Sequence, residues 1–184
     1  MTGAFADDLL AGRTALVTGG GTGLGFAIAE GLSAVGARVV IAARRVERLE
    51  AAAELIMQRT GNAVDVDVVD IRNRETVEAL AGRHQVDVLV NNAGGQFPQK
   101  ARDYSPNGWS SVIDLNLTGT WAMTQVFGNQ MLDGSGGTIV QIVALVGRGM
   151  PGIAHSSAAR AGVVELSRTL AFEWGPKVRV NCVA

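Results

Sequence analysis

Thr18-Gly19-Gly20-Gly21-Thr22-Gly23-Leu24-Gly25 is the stretch that decides the fold. Before it stands Thr14-Ala15-Leu16-Val17, a short apolar run of strand type. After it, Phe26 to Ser33 repeats its apolar residues at helical spacing. A strand therefore runs into a glycine-rich turn and out into a helix. Such a turn offers bare backbone N–H groups and the positive end of a helix dipole to an anion. Glycine is required where a Cβ would block the turn or hold phosphates away. The spacing T-G-x-x-x-G-x-G differs from G-x-G-x-x-G, and glycines alone also make structural turns. A second strand at Arg38-Val39-Val40-Ile41-Ala42 completes a βαβ unit and favours dinucleotide binding through Gly19, Thr22, Gly23, Leu24 and Gly25.

Outward from this unit, strands and helices alternate. Strands are expected at 13–18, 37–42, 63–69, 86–90, 137–143 and 178–183. Helices are expected at 23–35, 46–59, 73–82, 107–132 and 156–173, with loops at 95–106 and 144–155. Residues 1–12 read as a tail with one helical turn near Asp7 to Ala11. The pattern predicts an α/β fold: a Rossmann-type, doubly wound parallel sheet in three α/β/α layers, forming one dinucleotide-binding domain over 1–184. Ligands of such sheets bind beyond the carboxyl ends of the strands.

Composition narrows the function. Net charge is −1, which leaves no electrostatic footprint for nucleic acid. No apolar run reaches the length of a membrane span, and Met1 to Asp8 lacks the basic start of a signal peptide. The two histidines, His84 and His155, and the single Cys182 do not make a zinc ligand set. Cys182, in an apolar strand, is expected to be buried, and a reducing, cytoplasmic setting fits it.

The second strand ends Ala42-Ala43-Arg44-Arg45, without the carboxylate that holds ribose hydroxyls in NAD sites. Two guanidiniums stand where a 2′-phosphate lies, which predicts NADP(H). Asp70 and Ile71 frame the adenine edge, or Asp70 caps the next helix. Asn91-Asn92-Ala93-Gly94 ends the fourth strand; small residues admit a ribose and the amides tie neighbouring loops.

Together these pieces resemble the short-chain dehydrogenase/reductase family. The residues carrying the resemblance are Thr18-Gly19…Gly23-Leu24-Gly25, Asn91-Asn92-Ala93-Gly94, Asn116 in Leu115-Asn116-Leu117-Thr118-Gly119, Pro151-Gly152 and Arg179-Val180-Asn181. The resemblance implies a further strand and a substrate-covering segment after Ala184, so the chain reads as C-terminally truncated. It also implies a homo-oligomer, a dimer or tetramer paired through the 107–132 and 156–173 helices, with Trp121 and Met123 as interface candidates. The family's active site uses Asn, Ser, Tyr and Lys. Here the Tyr position is Ser156, the Lys position Arg160 and the Ser position Ala144, while Asn116 is kept.

A tyrosine, with a pKa near ~10, can protonate an alkoxide; a serine hydroxyl is far too weak an acid. Arginine stays charged and carries no proton. A Ser–Arg pair still offers hydrogen bonds and positive charge to a developing oxyanion. This suits conjugate reduction, in which charge builds on a thioester oxygen. His155-Ser-Ser-Ala-Ala-Arg-Ala-Gly-Val163, Leu170-Ala-Phe-Glu-Trp174 and Gly94-Gly95-Gln96-Phe97-Pro98 resemble the peroxisomal-type trans-2-enoyl-CoA reductases and 2,4-dienoyl-CoA reductases. That branch implies NADPH as donor and an acyl-CoA substrate. It places Asn116, Ser156 and Arg160 at the reacting carbonyl and nicotinamide ribose, and Gln96, Phe97 and Leu145 along the acyl group.

Plainer roles compete. Ser156 also suits a helix N-cap, a role that can coexist with a substrate-facing one, and Asn116 also suits a kink or hydration site of its own helix. His155 should point away from its neighbour Ser156 and serve structure. Tyr104, the only tyrosine, sits in the loop after the fourth strand and is not expected to replace the missing one. The rival functions are an alcohol or carbonyl dehydrogenase with a rebuilt proton path, and a cofactor-binding pseudoenzyme or inactive fragment.

Overall fold

The computed structural model describes residues 5–143 and 149–184. Among these residues six strands form one parallel sheet: β1 (Thr14–Thr18), β2 (Arg38–Ala43), β3 (Val64–Val68), β4 (Val88–Asn91), β5 (Gly137–Ile142) and β6 (Val178–Val183). The spatial order is β3-β2-β1-β4-β5-β6. Leu16 of β1 lies opposite Val40 on one side and Leu89 on the other. The chain thus winds outward from β1 in one direction, then returns and winds from β4 in the other. Between the carboxyl ends of β1 and β4 lies the switch-point crevice where such sheets bind ligands.

Helices α1 (Gly23–Ala34) and α2 (Val46–Thr60) cover one face. There Val17, Val39, Ile41 and Val90 pack with Ala29, Leu49, Ala52 and Ile56. The other face meets α3 (Arg74–Arg83), α5 (Gly119–Asp133) and α6 (Ala154–Trp174). Its core joins Leu16, Val40, Leu89 and Ile139 to Leu80, Met123, Phe127 and Leu170. Successive strand residues point to opposite faces, so strands covered on both sides read as unbroken apolar runs. Burying each large aliphatic side chain contributes about 1.5–3 kcal/mol. No helix among the described residues is long and apolar enough to cross a membrane.

Several expectations need correction. The single helix expected over 107–132 is two helices, α4 (Pro106–Ile113) and α5, joined by a π turn at Asp114–Thr118. Apolar periodicity does not register one residue inserted into a continuous helix. Met123 is fully buried in the core and is not a surface residue for an interface. The turn expected near Asp7 to Ala11 is present, as turns over residues 7–12 that pack on the end of α1, where the Leu10 N–H donates to the Val35 carbonyl at 2.8 Å. Cys182 is only half-buried, because β6 lies at a sheet edge.

Candidate active site

The glycine turn is built as the sequence requires. Thr22 precedes α1 without a side-chain cap, leaving the first-turn N–H groups of that helix for another acceptor. Gly25 serves close packing. A Cβ there would strike the Gly19 carbonyl and the Asn92 amide, so only glycine lets α1 seat against the ends of β1 and β4. Thr18 locks this junction. Its buried hydroxyl accepts the N–H groups of Asn92 and Ala93, each at 3.0 Å, while the Asn92 amide donates to the Thr18 carbonyl at 3.0 Å.

A cavity opens at this end of the sheet. Gly19, Gly21 and Thr22 line it from the turn, Ala42–Arg45 and Arg48 from the β2 side, Val69–Ile71 after β3, and Ala93, Gly94 and Leu115 opposite. Of the residues expected from sequence, Gly19, Thr22, Arg44, Arg45, Asp70, Ile71, Ala93 and Gly94 therefore meet at one cavity. Gly23, Leu24, Gly25, Asn92 and Arg160 are absent from its walls; Leu24 is exposed. Asp70 does not cap α3. Asn73 does, accepting the Glu75 N–H. Asp70 instead binds Arg72 through both carboxylate oxygens, at 2.9 and 2.5 Å, and this guanidinium holds its carboxyl below the usual range.

The second part of the site lies deeper. Asn116 sits in the π turn and is buried. Its side chain makes a reciprocal pair with Gly95, donating to the carbonyl at 2.8 Å and accepting the N–H at 2.9 Å. The same amide reaches the Ser156 hydroxyl oxygen at 3.5 Å. Arg160 stands one turn after Ser156 on α6 and donates to the Ile142 carbonyl at 2.9 Å. A Cβ on Gly94 would collide with this guanidinium and lie 2.9 Å from the Asn116 amide oxygen. Gly94 thus leaves the space in which Arg160 and Asn116 converge. Burial pushes the Arg160 pKa down from its ordinary value.

Ser156 is not an N-cap, because α6 begins two residues earlier and Ile153 precedes it. His155 is fully buried, and its Nδ1 accepts the Ser156 N–H at 2.7 Å. Its ring packs on Phe97 and Tyr104, with centroids 4.7 and 4.5 Å away. Tyr104 donates to the Gly152 carbonyl at 3.0 Å, which ties the loop after β4 to the start of α6. Phe97 therefore belongs to an aromatic cluster rather than to the main cavity, and Gln96 is exposed. Leu145 and Ala144 lie outside the described residues. Sequence reasoning missed Thr18 and Arg48. Its available signals were a hydroxyl at the end of β1 and an arginine one helical turn beyond Arg44.

The family model for short chain dehydrogenase matches residues 13–184. With that match, this fold and this site, the chain belongs to the short-chain dehydrogenase/reductase family. It is 38% identical to a peroxisomal 2,4-dienoyl-CoA reductase of Danio rerio over 98% of its own length. The chain spans 62% of that relative. It is also 38% identical to the 3-oxoacyl-acyl-carrier-protein reductase FabG of Chlamydia trachomatis serovar D, covering 96% of this chain and 74% of that one. Among solved structures, the citronellol catabolism dehydrogenase AtuB of Pseudomonas aeruginosa PAO1 superposes with a TM-score of 0.93 at 39% identity. That match covers 100% of this chain and 78% of AtuB.

Proposed function

We propose that the protein is an NADPH-dependent reductase of the 2,3 double bond of an enoyl-CoA-type thioester. One observation carries the reading: among the described residues, the donors convergent on Gly94 and Ser156 include no acid able to protonate an alkoxide, but do include a half-buried guanidinium. The residues present fit a dinucleotide. Between Gly19 and Gly25 the turn carries only the side chains of Thr22 and Leu24, the latter exposed, and α1 begins there with no side-chain cap on its first-turn N–H groups. Arg44 and Arg45 suit a 2′-phosphate, and Ile71 the adenine edge.

When bound, NADPH supplies a hydride to the β-carbon of the enoyl group. Ser156 and Arg160 hold the thioester oxygen on which negative charge then builds. Asn116 fixes the Gly94–Gly95 segment, and with it the floor of the site. The α-carbon takes its proton from water, so the carbon–carbon double bond is consumed with one hydride and one proton. The similarity to a 2,4-dienoyl-CoA reductase supports the thioester class. In our reading the chain works as a homo-oligomer in a reducing compartment, the cytoplasm. Phe172, 90% exposed on α6, gives that helix an apolar contact for a second copy.

The FabG similarity favours a second reading, reduction of a 3-ketoacyl thioester through a proton path that bypasses the missing tyrosine. NADPH oxidation with a trans-2-enoyl-CoA beside a 3-ketoacyl-CoA separates the two. We expect turnover of the enoyl substrate alone. Turnover of the keto substrate alone would overturn conjugate reduction, and NADPH binding without turnover of either would mark a pseudoenzyme.

A further inference from the structure

One buried side chain beside the site is not explained by packing alone. His155 is fully buried against two rings of the loop after β4: Phe97 meets it edge-on at 79°, and Tyr104 lies over it at 35°. Its Nδ1 accepts the Ser156 N–H, and an imidazole that accepts there carries its proton on Nε2. Among the described residues that Nε2 has no hydrogen-bond partner. A buried donor left unpaired works against the fold. A phenylalanine in the same place would keep the ring contacts and strand no polar atom. The histidine therefore answers to its other nitrogen.

Nδ1 meets a need set by the start of α6. The helix begins at Ala154, so Ser156 is its third residue, and the first N–H groups of a helix have no acceptor within it. Ile153, which precedes the helix, has no side chain able to cap it. Ser156 is itself buried, so its N–H cannot turn to water. The Nδ1 bond, at 2.7 Å, supplies the missing acceptor. The ring is held in turn. Tyr104 is tied to the Gly152 carbonyl at 3.0 Å, and the Gln99 N–H donates to the same carbonyl at 2.8 Å. The two segments fix the imidazole, and the imidazole fixes the Ser156 backbone. The Ser156 hydroxyl accepts the Asn116 amide at 3.5 Å, which leaves its own proton for a ligand oxygen.

We propose that His155 is a positioning residue for Ser156: by accepting the Ser156 N–H, it sets the direction from which that hydroxyl meets the substrate oxygen. The proposal rests on the role given to Ser156 above. His155 touches no reacting atom and passes no proton. It fixes the backbone under a hydrogen-bond donor, and displacing such a donor lowers the rate rather than the affinity for cofactor.

The test sets two variants against each other, with trans-2-enoyl-CoA turnover, NADPH titration and thermal melts read on each. His155→Phe keeps a ring beside Phe97 and Tyr104 and removes the acceptor. It should melt at or above the wild-type temperature and bind NADPH as the wild type does. Its kcat should fall about tenfold to a hundredfold, the scale for a misplaced group. His155→Asn removes the ring and keeps an acceptor at the same branch of the side chain. Asp67 already makes the equivalent bond to its own neighbour, accepting the Val68 N–H at 2.8 Å. His155→Asn should melt lower, yet keep more of kcat than His155→Phe. A merely structural histidine gives the opposite order, with activity following stability, and that order would overturn the proposal. So would a His155→Phe that keeps the wild-type kcat or fails to fold. If His155→Asn does not fold, the kcat of His155→Phe decides alone. Nitrogen NMR of the wild-type rings is a further check, because the chain has two histidines and the signals lost in His155→Phe are its own. A proton found on Nδ1 would refute the bond to Ser156. A wild type that reduces no enoyl-CoA overturns the role of Ser156, and this inference with it.

Discussion

The two ends of the crevice are built on different principles. On the β1–β2 side the groups facing the cavity are glycines, backbone N–H donors and exposed arginines. On the β4–β5 side Asn116 and Ser156 are buried, and Arg160 is tied to a strand-end carbonyl. The first side is poised for a ligand that brings its own charge. The second is already hydrogen-bonded within the protein and commits only a few donors to whatever enters. The contrast teaches where tolerance lies: the open side should lose affinity by degrees, while the closed side should lose function or fold outright.

The largest expected effect tests the closed side. Arg160→Ala should lower kcat with an enoyl-CoA by about 10²–10³, the scale for loss of an oxyanion donor, with NADPH affinity less affected. A kcat within a factor of three of wild type would remove Arg160 from the chemistry. Next is the seam between the two sides. Gly25→Val drives side-chain atoms into the Gly19 backbone and the Asn92 amide. Overpacking of this kind costs about 1–3 kcal/mol and should abolish dinucleotide binding. Retained binding in a titration would show that the seam opens freely.

Thr18→Val should follow closely. It removes the hydroxyl acceptor of two half-buried N–H groups, leaving that of Ala93 without it and that of Asn92 with the Val90 carbonyl alone, at a cost of about 1 kcal/mol in a denaturant melt. On the open side, Arg44→Ala should raise the NADPH dissociation constant about tenfold, the charge-assisted scale. An equal loss for NADH would separate Arg44 from the 2′-phosphate.

The smallest effect is acid sensitivity. Asp67 and Asp70 both titrate below the ordinary 3.8. For Asp70 the Arg72 hydrogen bond is responsible; for Asp67, burial works upward but Arg83 and His84 outweigh it. Depressed carboxyl pKa values add stability above the unfolded value, and that stability fades as pH falls through the folded one. A melting temperature that drops as pH is lowered below about 4, and drops less steeply in Asp67→Asn, would register it. No such dependence in the wild type would mean that both pairs are solvent-screened.

The open side was the more legible in sequence. Its strand, turn and helix are contiguous, so spacing alone places Gly19, Thr22 and Arg44 together. The closed side depends on residues far apart in the chain. Asn116 and Ser156 meet because α6 packs on the π turn that carries Asn116, and periodicity carries no such information. The family resemblance, not periodicity, placed Phe97 along the acyl group; its ring packs with those of His155 and Tyr104. The alternative of Ser156 as a cap does not hold, since α6 already begins at Ala154 and Ile153 precedes it without a side-chain cap.

The π turn at Asp114–Thr118 has a mechanical consequence. An ordinary helix advances by about 100° per residue, so one inserted residue offsets the phase of everything beyond it. Here that offset lets α4 face the loop after β4 while α5 faces the sheet, with Asn116 at the changeover. Shortening the turn by one residue would rewind the rod into a single phase. Either α5 would keep its seat on the sheet and α4 would swing off the loop, or the reverse. The turn acts as a gear tooth, and a one-residue deletion there should prove harsher than most substitutions around it.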